Sequence, residues 1–233
     1  MVAGPAPHRG GPATISRWPC HNLPVAQRFE HDQLEFARAV TIFDAIFAFA
    51  VTLLITTIDD FSAEAWSSLP ALWEKNGDSL TAFAISFVVV VSFWRENHRQ
   101  VTGFMALDHQ LITLNCAVMF GIVLIPFGTE AMGKQGDLPL PVAVYAVILS
   151  ATYVMQSIVL IVANRKGLTT TKLSPRETLW SYISGALLPI VFLGSIPLAY
   201  LYGPVVAQRS WISLLFLYPL LGRLEQRDLA QSK

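Results

Sequence analysis

The sequence predicts an all-α integral membrane protein, a bundle of six transmembrane helices, on three observations. Six long apolar runs divide the 233 residues, each close to the ~20 residues that a helix needs to cross the hydrocarbon. Only 14% of the chain is charged, against about a quarter in a soluble domain, and those charges cluster between the runs. Successive loops also alternate between basic and acidic or neutral, the pattern of a chain inserted with its basic loops inside.

The runs fall at 37–58, 77–97, 109–132, 140–163, 178–202 and 205–221. Backbone groups in lipid must be satisfied internally, so each run is a helix or part of a closed barrel. A barrel needs ~10-residue segments of alternating polarity, and these runs are continuous. Residues 1–34 are then a disordered cytoplasmic N-terminal tail, 35–222 the membrane domain and 223–233 a short cytoplasmic C-terminal tail. The tail is rich in Pro, Gly and Ala up to Gln27 and has no apolar core of a cleavable signal. The first run is therefore expected to stay in the protein as a membrane span.

Loop charges set the orientation. Asp59, Asp60, Glu64 and Glu74 against Lys75 follow the first run; Arg95 and Arg99 follow the second. Lys134 and Asp137 lie in the short third loop, and Arg165, Lys166, Lys172 and Arg176 in the fourth. Arg223 and Arg227 follow the sixth run, while Arg9, Arg17 and Arg28 precede the first. The expectation is a multi-pass protein of a plasma membrane with both termini cytoplasmic. Pro126, Pro189, Pro197 and Pro219 fall inside runs and predict kinks whose freed carbonyls neighbours satisfy.

Composition excludes several classes. Lys plus Arg equal Asp plus Glu at 16 each, so no basic field draws nucleic acid. Cys20 in the tail and Cys116 in the third run are expected to be free thiols. No HExxH, CxxC, GxSxG or P-loop pattern appears, nor the TVGYG of a potassium filter. No enzyme, metal site or cofactor is expected; the lipid bilayer is the evident partner.

The first run carries the most information. At about 100° per residue, Ile42, Ala45, Phe49, Thr52, Leu53 and Thr56 share one stripe. Arg38 lies near its inner end and Asp60 near its outer mouth. Such a stripe fits a cation pathway with a hydrophobic constriction, while most such stripes are faces packed on helices of the same chain. Asp44 lies roughly 140° from the stripe. An ionisable group inside a membrane helix normally faces protein or water. Its expected partners are Asn97, His98 and Asn115, with a carboxylate solvated at the headgroups as the alternative.

These residues resemble the transmembrane-protein-175 family of potassium channels. The family's first helix reads Arg, three residues, Phe-Ser-Asp, then an Ala/Ile-rich run ending in Thr-Leu-Leu. Arg38, Asp44, Phe47-Ala48 and Thr52-Leu53-Leu54 match that spacing. Trp94 to His98 is similar to Trp-x-x-His-His, Leu114-Asn115 to Leu-Asn, and Pro126-Phe127 with Thr129 to Pro-Phe-x-Thr. The likeness covers roughly 35–133. It implies six helices per subunit, a homotetramer with four first helices around the pore, and a potassium-selective leak conductance without a filter loop. It puts the pore and gate at Phe49, Thr52, Leu53 and Thr56, with Phe49 at the narrowest point. It also implies a structural polar network of Arg38, Asp44, Asn97, His98 and Asn115. The chain departs from the family at Ile42-Phe43 for Phe-Ser, Asn97 for the first His, Phe49 for Ile and Thr56 for the outermost pore Leu. A proton pathway or small-solute transporter using Asp44 and His98, or a non-transporting scaffold, stays open beside the channel.

Overall fold

The computed structural model describes residues 28–30, 33–58, 61–170 and 174–231. Most of the expected tail, and Asp60, lie outside the described residues. After a short strand β1 (Arg28–Glu30) come helices α1 (Leu34–Leu53) and α2 (Leu69–Thr102). Strand β2 (Ala106–Asp108) leads into α3 (His109–Gln135), followed by α4 (Pro139–Arg165) and α5 (Pro175–Tyr202). Two helices close the chain, α6 (Pro204–Ser210) and α7 (Ser213–Gln231).

Five spans among the described residues are long and apolar enough to cross a membrane: Leu34–Thr57, Leu69–Thr102, His109–Gln135, Pro139–Arg165 and Arg176–Tyr202. They coincide with the first five runs. The helix ends follow from local chemistry. Ser68 accepts the Ala71 N–H and Asp108 the Leu111 N–H, while Ser174 and Glu177 form a reciprocal capping box. Proline stands in the first turn of α2, α4, α5 and α6, where its missing N–H costs nothing. Gly167, with φ +66°, ends α4 by the left-handed turn that favours glycine. α2 has 34 residues, about 51 Å of helix. It extends past its apolar run at both ends, so Arg95 and Arg99 sit on its last turns, not in a loop.

The sixth run differs from expectation. The stretch 205–221 is not one helix: α6 ends at Ser210, Trp211 and Ile212 form a turn, and α7 begins at Ser213. Successive i→i+3 bonds tighten the backbone there, with Trp211, Ile212 and Leu214 N–H reaching Gln208, Arg209 and Trp211 carbonyls. The Ser210 and Ser213 hydroxyls donate to the Ala207 and Ser210 carbonyls, a competition that bends helices. The Trp211 indole pins the turn: its N–H reaches Ser195 Oγ at 2.9 Å, and its ring meets Tyr145 and Phe192.

The expected tail also needs correction at its end. Arg28–Glu30 pairs antiparallel with Ala106–Asp108, Arg28 facing Asp108 and Glu30 facing Ala106. Its backbone finds partners on the α2–α3 connection, which satisfies polar groups that a free tail would leave to water. The α4–α5 connection joins the same layer, Met105 N–H reaching Leu168 O and Thr170 N–H reaching Gly103 O. Asp228 near the end of α7 accepts the Trp180 indole N–H at 3.0 Å and lies 4.0 Å from Arg176. β1 and the last turns of α7 therefore lie on the same side of the bundle.

The core lies where α2, α3 and α4 meet. Tyr145, Leu111, Ile122, Ile125 and Leu149 are fully buried, and Phe47 and Leu54 reach the same core from α1. The close approach of α3 and α4 needs glycine: a Cβ on Gly121 would stand 2.1 Å from Thr152 Oγ1, and small residues of this kind drive helix association in lipid. Buried hydroxyls are linked across three helices, Thr129 Oγ1 donating to Ser86 Oγ at 2.7 Å and Ser86 lying 2.8 Å from the Tyr145 hydroxyl.

Candidate functional site on the first helix

α1 has two faces of opposite character. Phe36, Phe43, Phe47, Ala50 and Leu54 are buried against the subunit's own helices. Ile42, Ala45, Phe49, Thr52 and Thr56 are exposed, Phe49 at 65%, with Leu53 half-buried at the margin. The structure thus brings the sequence-derived stripe together on one line and turns it away from the subunit's core. Among the described residues, the other expectation for the stripe, packing on helices of the same chain, is not seen.

The stripe stays aligned because the helix tightens. From Leu54 to Thr57 the backbone becomes a 3₁₀ turn, and with three residues per turn Thr56 stands in line with Leu53. The Thr52 and Thr56 hydroxyls donate to the Phe49 and Leu53 carbonyls at 2.8 and 2.7 Å. That leaves the oxygen lone pairs on the exposed side, as acceptors without a free donor. A shallow apolar groove flanks the stripe, lined by Ile42, Phe43 and Ile46 of α1 and by Cys116, Met119, Phe120 and Val123 of α3.

The polar network takes a different form from the expected one. Asp44 Oδ1 accepts the Trp94 indole N–H at 2.9 Å, and the Trp94 ring lies 5.6 Å from that of His98, inclined by 31°. Asp44 and His98 are joined through tryptophan, not directly. Asn97 is buried, but among the described residues it makes no hydrogen bond with Asp44. Asn115 is fully buried and donates to the Leu111 carbonyl of its own helix, leaving its Oδ1 without a partner. Arg38 is exposed and makes no hydrogen bond or ion pair among the described residues. The reason is position and face: Trp94 sits one turn nearer the middle of α2 than His98, and its long side chain reaches α1, while Asn97 and Asn115 turn into the core. The signal for Trp94 was its single donor, which needs an acceptor when the ring is held among apolar groups.

No group of three or more His, Cys, Asp or Glu side chains is placed to hold a metal among the described residues. A face of bulky apolar groups and hydroxyl acceptors, continuous from Ile42 to Thr56, holds no nucleophile or general base. Its chemistry is limited to packing, hydration and weak coordination.

Comparison with known proteins places this helix in context. The family model described as endosomal/lysosomal potassium channel TMEM175 matches residues 38–126, which run from within α1 into α3. A protein named as a potassium channel from Streptomyces collinus is 31% identical over 126 residues, covering 50% of this chain and 59% of that protein. Another so named, from a Chryseobacterium species, is 24% identical over 110 residues, covering 46% of this chain and 55% of that protein. The chain thus spans less than two thirds of the length of these curated relatives. A solved structure, titled as a lysosomal potassium-selective channel TMEM175 homolog from Chamaesiphon minutus, superposes with a TM-score of 0.66 at 21% identity. The superposition covers 81% of this chain and 98% of that one, a likeness of fold.

Proposed function

We infer that this chain, whose residues 38–126 match the TMEM175 family model, is a member of that family and forms a potassium channel in which four copies of α1 surround the pore. One observation carries this reading: Phe49 is 65% exposed on a continuous stripe, while Phe47 two residues away is 2% exposed. In a membrane an outward apolar face meets lipid or another copy. The stripe carries the Thr52 and Thr56 hydroxyls along its length, which suits a wetted passage better than a lipid contact.

In the proposed channel Phe49 is the constriction. Four rings meeting on an axis exclude water, and an apolar constriction stops ions by refusing to hydrate them. Leu53 forms a second ring and Thr56 the outer end, with Arg38 at the inner mouth. Asp44, Trp94 and His98 hold α1 to α2 and take no part in ion selection. The conductance is of leak type, and no TVGYG loop serves as a filter. α6 and α7 together make the sixth crossing, broken at Trp211, and the basic side that carries β1 and the end of α7 is the cytoplasm. The shared side of both ends supports that even count. The membrane is a prokaryotic plasma membrane.

Reconstitution of the purified protein into liposomes with potassium and sodium gradients tests the proposal. Uncoupled potassium flux from protein alone, together with a tetrameric mass in detergent, is the expected result. Flux that requires a counter-gradient of protons or solute would point to a transporter, and no flux with an intact tetramer to a scaffold.

A further inference from the structure

We propose that Asp108 is a positioning residue for the proposed pore helix: with Lys166 and Arg28 it ties the strand leading into α1 to the inner ends of α3 and α4. The proposal rests on the reading of α1 as the pore helix. Asp108 is 4% exposed; its carboxylate makes two contacts and its backbone lies in the strand pair. Its Oδ1 accepts the Leu111 N–H at 2.9 Å and so caps α3. Its Oδ2 accepts from the Lys166 ammonium at the end of α4. Across the two-stranded sheet it faces Arg28. Arg28 and Lys166 both favour the ionised carboxylate, against the burial that opposes it.

The tie reaches α1 through a short, hydrogen-bonded link. Glu30 N–H bonds Gln33 Oε1 at 3.2 Å, Gln33 N–H bonds the Glu30 carbonyl at 3.0 Å, and Ala37 N–H bonds the Gln33 carbonyl at 3.3 Å. α1 begins at Leu34, so little slack separates strand from helix. Phe29 adds an edge-on contact with His109, ring centroids 6.2 Å apart. On the far side, the backbone bonds of Gly103 and Met105 to Thr170 and Leu168 fix the α4–α5 connection to the same layer. A buried carboxylate is costly to leave without its cation, so loss of the Asp108–Lys166 pair is felt by the strand.

Two substitutions separate this role from helix capping. Asn is as good a helix cap as Asp, so Asp108→Asn keeps the acceptor for Leu111 and loses the charge. Lys166→Gln removes the other partner at a side chain that is 31% exposed, where loss of the fold is not expected. In the full chain in lipid nanodiscs, amides 28–30 should exchange hydrogen faster in both variants, on the order of tenfold for loss of a charged hydrogen bond. The Leu111 amide should keep its protection. The double variant should be no faster than either single one, because both remove the same pair. In liposomes both singles should raise potassium flux several-fold, as the inner end of α1 is released and the Phe49 ring loosens.

Unchanged exchange at 28–30 would overturn the tie. Faster exchange with unchanged flux would overturn the positioning role while leaving the channel standing. A wild-type protein that passes no ion, alongside a Phe49→Ala variant that also passes none, would overturn the channel reading and the positioning role with it.

Discussion

Phe47 and Phe49 are two residues apart on α1 and chemically identical, yet one is 2% and the other 65% exposed. The buried ridge of Phe43, Phe47, Ala50 and Leu54 meets the subunit's core; the stripe of Ile42, Ala45, Phe49, Thr52 and Thr56 meets none of it. In water such an exposed phenylalanine on a long apolar face would be a liability. In a bilayer hydrophobicity no longer separates inside from outside, and the sorting falls to shape and to the few polar atoms. From Phe43 to Leu54 the ridge is all carbon, with one buried hydroxyl beyond it at Thr57, while the stripe carries two exposed hydroxyls. That difference is what makes one face a packing surface and the other a candidate passage.

The largest effect expected on folding comes from the ridge. Phe47→Ala should cost ~3–5 kcal/mol, the range for truncating a buried aromatic, read as a fall in melting temperature in detergent with no gain of flux. Leu54→Ala should follow at about 2–5 kcal/mol. Leu54 is fully buried, so it is a second test of the ridge. Retention of stability in either variant would break the contrast between faces.

Trp94→Phe should come next. It keeps the ring over His98 and removes the donor to Asp44, at a cost on the order of 1–2 kcal/mol for a polar contact in a membrane bundle. The proposed tetramer should dissociate more readily in detergent, with ion preference unchanged in surviving channels. A changed preference with intact assembly would move Asp44 from structure to selection.

A smaller effect is expected from acid. Burial opposes ionisation of Asp108, but Lys166, the Leu111 amide and Arg28 together hold its carboxyl below the ordinary 3.8. A carboxyl lowered on folding contributes stability that is complete above its unfolded value and lost as pH falls through the folded one. Melting should therefore show no step from Asp108 between about pH 7 and pH 4, then a step below, and Asp108→Asn should lack it. A step near neutrality would assign the acid response to another group. The smallest effect belongs to Thr52→Val, whose hydroxyl bonds only its own helix; stability should move by less than about 1 kcal/mol.

How much was legible in the sequence follows from the range of the forces involved. Five spans lie where their apolar runs put them, because insertion is decided by local composition. The stripe was also legible, since a straight helix preserves its period and the 3₁₀ turn happens to keep Thr56 above Leu53. What failed depended on contacts distant in the chain. The sixth run reads as one apolar helix, and only the Trp211 anchor on Ser195 and the serine back-bonds divide it. Arg28–Glu30 is a three-residue strand in a polar stretch, specified by β2 almost eighty positions away. Asp44 was read with Asn97, His98 and Asn115 from similar depth, but depth says nothing about which side chain reaches across, and Trp94 does.

The most direct test of the central claim is potassium flux per assembled protein for Phe49→Ala in liposomes. Removing the four rings of the proposed constriction should raise flux on the order of tenfold, as taking about 1.4 kcal/mol from a barrier does, while melting temperature stays near wild type. A Phe49→Ala protein that melts as early as Phe47→Ala, with flux unchanged or lower, would place Phe49 in a packing interface and contradict the account.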